Sequence, residues 1–158
     1  MIVYERNAWV ILFVLWAVHL ALALRDFFPA SQDICLACLP GAKSPMQVSI
    51  GMTWMQLVAS TPEFARFLSA TLVDDGISGV GFAALGMVIS VTGFKRGERW
   101  AWYFSWSLPI GILAAQLNQY ELTGSVVVII LTLAFLAGSL LGIFLPYRTF
   151  FPKRRPLT

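Results

Sequence analysis

The sequence predicts an all-α integral membrane protein: a four-transmembrane-helix bundle with a long extracytoplasmic segment between helices 1 and 2 that contains an amphipathic helix. Three observations predict it. The 158 residues are 58% hydrophobic and only 12% charged, with a mean hydropathy of +0.76, whereas soluble domains hold roughly 45–50% apolar and 25% charged residues. The apolar residues fall in runs near the ~20 residues that carry a helix across a ~30 Å hydrocarbon core, where every backbone amide must be satisfied internally. The cations cluster beside those runs instead of covering a polar face. This makes the net charge of +3 a topology signal and argues against nucleic acid as a partner.

The spans are read as 8–24, 76–94, 100–117 and 124–145, within a single membrane domain covering 1–158, with 25–75 as the outer segment. The first is short. Arg6 and the Ala21-Leu22-Ala23 end give it the outline of a signal peptide, and it is expected to be retained as a span. Four spans put Arg6, Lys95, Arg96, Arg99, Arg148, Lys153, Arg154 and Arg155 on one side, and Arg25, Lys43 and Arg66 on the other. The positive-inside bias then places both termini and the Lys95–Arg99 turn in the cytoplasm of a multi-pass inner (plasma) membrane protein. The 25–75 segment and the Asn118–Thr123 turn face outward. Trp100, Trp102, Tyr103, Trp106, Phe144, Tyr147, Phe150 and Phe151 sit near the inner boundaries, as interfacial aromatic residues do.

Helix connections in bundles usually take ~2–8 residues, so an outer segment of about fifty is expected to be folded or functional. Pro29, Pro40, Gly41 and Pro45 break its first part into turns. Met46 to Ser60 is apolar enough to lie in the interface or on the bundle. A helix start follows, with Ser60 paired to Glu63 in a capping box or Thr61 as cap before Pro62. Phe64, Phe67, Leu68 and Leu72 share a face of this helix, which either runs straight into the second span or kinks at Gly76.

Small residues mark where membrane helices approach closely. Gly76, Gly79, Ala83, Gly86, Ser90 and Gly93 form a seam in the second span. Ser107, Gly111 and Ala115 repeat the spacing in the third, and Ala134, Gly138 and Gly142 in the fourth. Most of this serves packing within the bundle. Three such faces are generous for one compact bundle, so one of them can meet another subunit. Pro109 removes a helical hydrogen bond and predicts a kink in the third span.

Few residues offer chemistry. Cys35-Leu36-Ala37-Cys38 lies on the outward side, where thiols can be oxidised, at the spacing that lets two sulfurs exchange disulfides. Met46, Met52 and Met55 share that segment and with the cysteines would suit copper(I), although methionine more often fills apolar gaps. Two cysteines make only half a structural zinc site, so no metal is expected. His19, on a helix face with Trp16, is either an interhelical hydrogen-bonding residue or the ligand of a haem or pigment, for which one histidine supplies only one axial position. Asp74 and Asp75 near the outer end of the second span are read as solvated or Arg66-paired acids, with proton or ion handling as the functional alternative.

Two resemblances follow from these strings. Lys95-Arg96-Gly97-Glu98-Arg99-Trp100-Ala101-Trp102-Tyr103, with Thr61-Pro62-Glu63, resembles small uncharacterised bacterial four-helix membrane proteins of the DoxX-like type across roughly Gly51 to Ala115. This implies fold and topology and lends no catalytic residues. Cys35 and Cys38 in the first outer loop of a four-span plan resemble DsbB-type thiol oxidoreductases, in the class of vitamin K epoxide reductase-like proteins. Those families use a second cysteine pair, and this chain has two cysteines in all. With no complete catalytic constellation, the expected function is that of a noncatalytic structural or accessory subunit, held in the lipid bilayer among membrane-protein partners. The alternatives are a thiol-disulfide oxidoreductase using Cys35 and Cys38, and a pigment- or haem-binding subunit using His19.

Overall fold

A computed structural model describes residues 3–34, 44–123 and 126–152, and every regular element among them is helical. Helix α1 (Val3–Arg25) leads into a 3-10 turn (Pro29–Asp33). Two short helices follow, α2 (Pro45–Ile50) and α3 (Trp54–Ser60), and then the long α4 (Pro62–Ile89), which ends in a π-helical turn (Ser90–Phe94). After it come α5 (Arg99–Ser105), α6 (Ser107–Thr123), α7 (Val126–Phe144) and the single turn α8 (Tyr147–Phe150). Among the described residues, Asn7–Arg25, Pro62–Phe94 and Ile129–Phe150 are long and apolar enough to cross a membrane.

The expected third span is not one helix. Pro109 has no N–H for the carbonyl of Ser105 and its ring crowds that turn, and the chain breaks there, at Trp106, with Trp106 N–H reaching back only three residues to Tyr103 O at 3.2 Å. Helix α6 alone has 17 residues. It also runs through 118–123, where polar composition suggests a turn, because Asn118, Gln119 and Glu121 are tolerated within a helix and no Gly or Pro interrupts it before Gly124.

Helix α4 is continuous through Gly76 and 28 residues long, about 42 Å at 1.5 Å per residue. Thr61 occupies its N-cap position, but no side chain caps it. Thr61 Oγ1 donates instead to Leu57 O and Ser60 Oγ to Gln56 O, closing the end of α3. Pro62, whose missing N–H costs nothing at a helix start, and Glu63, favourable to the dipole, begin α4 in their place.

Helix α1 packs against both α4 and α7. Its inward stripe is Ala8, Leu12 and Trp16, all essentially inaccessible, with Ala23 further along. Each large residue meets a small one. At Gly86 a Cβ would collide with the Trp16 indole, so only glycine lets α4 come this close. A Cβ at Gly79 would lie 2.8 Å from Ala23 Cβ, and one at Gly142 would lie 2.9 Å from Leu12 Cδ2, while Gly138 has Leu15 at ordinary contact distance. Ala83 and Ser90 are buried, and Ser90 Oγ donates to Gly86 O at 2.8 Å. Gly111, Ala115 and Ala134 are exposed, Gly111 has open space around it, and Ser107 is half-buried with its hydroxyl on Phe104 O.

One end of the molecule gathers Lys95, Arg96, Arg99 and Arg148 and a cluster of aromatic residues. The π-helical turn closes through Lys95 N–H to Ser90 O and Glu98 N–H to Gly93 O, and Gly97, at φ +75°, takes the left-handed conformation that the reversal needs. Helix α7 stops at Phe144, since Pro146 has no N–H to extend it. Trp102 Nε1 donates to the Ile143 carbonyl at 3.1 Å, and its ring lies edge-on to Trp106, Tyr147 and Phe151. Phe94 packs on Phe150 with the rings tilted and their centroids 4.8 Å apart.

Candidate functional site

The opposite end carries a cap built from the 3-10 turn, α2, α3 and the first turns of α4. Two repeats of one local code start its short helices. In Ser44-Pro45-Met46-Gln47 and in Thr53-Trp54-Met55-Gln56, the hydroxyl accepts the N–H three residues on and the glutamine side chain accepts the N–H of the cap residue, so both are complete capping boxes. Gly51, at φ +77°, ends α2. The apolar faces so formed bury Met46, Leu57 and Ala65, with Met52, Trp54 and Leu68 packed around them. Thus Met46 to Ser60 folds as two short helices, with α3 packed on α4. Its methionines do not share one position: Met46 is buried, Met52 is half-buried beside Ser60, and Met55 is 73% exposed.

A polar clamp joins the cap to α1. Arg25 donates from Nη2 to Ser31 O at 2.7 Å and to Ile34 O at 2.6 Å, and Ser31 Oγ donates back to Arg25 O at 3.0 Å. Its charge therefore meets the carbonyl end of the 3-10 turn, where a cation is favoured. Asp33 accepts the Trp54 N–H with both carboxylate oxygens at 2.9 Å, an anion at the amide end of α3. Gln32 Nε2 donates to Asp26 Oδ1 at 2.8 Å. Burial raises the Asp26 carboxyl above its usual range, the Gln32 hydrogen bond and Arg25 oppose this, and the charge of Asp75 adds to the rise.

Among the sequence candidates, His19 sits on α1 half-buried, its ring edge-on to Trp16 with centroids 6.0 Å apart. It is the only histidine of the chain. Asp74 and Asp75 are both exposed on α4, and Arg66 lies two helical turns away, about 12 Å along the axis. Cys35 and Cys38 lie outside the described residues. The residue before them, Ile34, is the one whose carbonyl Arg25 holds, and Ser44, just after the 35–43 stretch, is buried as the cap of α2. Among the described residues, no group of three or more His, Cys, Asp or Glu is arranged to hold a metal ion.

The clamp residues Arg25, Asp26, Gln32 and Asp33 are not visible as a site in the sequence, because single charges near a helix end carry no periodic signal. The capping boxes are visible there, as hydroxyl-x-Met-Gln written twice at a nine-residue interval. No known protein family, curated protein or solved structure matches the chain.

Proposed function

We propose that the chain is a four-crossing plasma-membrane protein with cytoplasmic termini, and that it is a noncatalytic accessory subunit whose cap docks a partner on the outer side. α1, α4, the α5–α6 passage and α7 are the crossings. One observation carries the docking role: an apolar face on a part of α4 that the bilayer does not need. Counting from Phe94, ~20 residues span the ~30 Å core and end near Asp75. The helix from Pro62 to Asp74 then extends about 18 Å further, past headgroup layers of roughly 5–7 Å. On that extension Phe64 and Phe67 are 47% and 66% exposed, beside Met55 at 73% and Val58 at 42% on α3. Exposed apolar surface beyond the lipid marks a protein contact.

Mild detergent extraction followed by native mass spectrometry tests this reading. A stable complex is expected, reduced to the free chain by Phe64→Ser with Phe67→Ser; the wild-type chain appearing only as a lone monomer contradicts it.

A second reading, thiol-disulfide exchange by Cys35 and Cys38, is favoured by the Arg25 clamp, which fixes the backbone next to Cys35. With the pair oxidised, one thiolate of a partner would attack its disulfide and a second partner thiolate would resolve the mixed disulfide, so that the partner leaves with a disulfide and the pair as a dithiol. Loss of disulfide formation in partner proteins in Cys35→Ser cells is expected; unchanged partner disulfides remove this reading.

A further inference from the structure

We propose that the basic end holds the phosphate of an anionic phospholipid, at a site built around Arg99. The guanidinium is fixed on two sides by the protein. Nε donates to Phe150 O at 3.1 Å, and Cζ lies 5.4 Å from the centre of the Phe151 ring. The side chain is nonetheless exposed, so the Nη1 and Nη2 edge remains to face outward, a planar fork that suits two oxygens of one phosphate. An arginine already oriented in this way loses less freedom on binding than a free one.

Its neighbours strengthen the site. The turn at Gly97 packs on α8, where a Cβ at Gly97 would lie 3.3 Å from Thr149 Cγ2. The residues that precede these two, Arg96 and Arg148, are both exposed. Glu98, the only acid between Asp75 and Glu121, is engaged by Trp100 Nε1. The level is set by Trp100, Tyr103 and Tyr147, which are 51%, 60% and 46% exposed around Arg99. Such rings settle at the headgroup layer, so the phosphate there is that of a lipid. The site rests on the chain crossing a bilayer and on neither its orientation nor a partner.

The test uses the full chain in lipid nanodiscs of phosphatidylcholine with a minor share of phosphatidylglycerol, reading by native mass spectrometry the lipid that stays bound after release. Phosphatidylglycerol should be retained in excess of its share. Arg99→Gln should lower that excess about fivefold, the ratio equivalent to ~1 kcal/mol for one cation near anionic lipid, and Arg99→Lys should recover only part of it. Arg96→Gln with Arg148→Gln, which removes no side-chain hydrogen bond among the described residues, should lower it as well and decides the matter should Arg99→Gln unfold. Inorganic phosphate at millimolar concentration should leave the lipid bound. Equal retention of both lipids, no effect of the variants, or displacement by inorganic phosphate overturns the proposal.

Discussion

The two halves of the molecule are held by different forces. From Trp16 toward the basic end, large side chains fit against glycine, alanine and serine of neighbouring helices, and the fully buried residues Leu12, Trp16, Ser90, Ser105, Ser139 and Ile143 all lie there. From His19 toward the cap, Ala23 is the one buried residue on α1, and cohesion comes from two capping boxes, the Arg25 clamp, Asp33 and a three-residue apolar cluster. Close packing is the main attraction between helices that lipid surrounds, whereas polar bonds hold segments that water reaches. The division therefore matches a half that anchors and a half that is free to move or bind, since regions with little buried apolar contact open at low cost.

Four substitutions test this division, from the largest effect to the smallest. Gly86→Val puts carbon into the Trp16 indole and should destabilise the whole fold by about 3 kcal/mol, read as a lower thermal midpoint in detergent; an unchanged midpoint would mean that α1 and α4 do not meet there. Trp102→Phe leaves the Ile143 carbonyl without its donor and should cost ~1–3 kcal/mol, again across the molecule. Asp33→Ala removes the anion at the start of α3 and should cost about 1 kcal/mol, with amide-exchange protection lost in α2 and α3 and retained in α5 and α8. Loss of protection at both ends would break the comparison.

Asp26→Asn probes the smallest effect through pH. Because the folded carboxyl titrates above its usual value of 3.8, the folded state holds the proton more tightly than the unfolded one. Stability should thus fall as pH rises from 3.8 through the raised value, and stay lower above it. The asparagine variant should flatten that slope. A wild-type slope of opposite sign would mean that Arg25 and Gln32 outweigh burial.

The parts of the fold that are legible in the sequence are those governed by a single strong physical effect. Long apolar runs mark α1, α4 and α7, because hydropathy over ~20 residues is a strong signal. Gly79 and Gly86 are visible as a spacing, but their partners Ala23 and Trp16 are not, since spacing names one side of a contact only. The break falls at Trp106 and not at Pro109 itself, because proline acts on the preceding turn. The cap is least legible. Its hydrogen bonds, such as Asp33 to Trp54 across 21 residues, join positions that no local pattern relates, and its helices are too short for periodicity to show.

Whether the cap reaches past the membrane to a protein is tested most directly by site-specific photocrosslinking in intact cells. The reactive residue is placed at Phe67 and, as the comparison, at Leu133, an exposed residue near the middle of the apolar helix α7 (Val126–Phe144). A cap that docks a partner predicts a discrete protein adduct from Phe67 and lipid adducts alone from Leu133. Lipid adducts alone from both positions would contradict it.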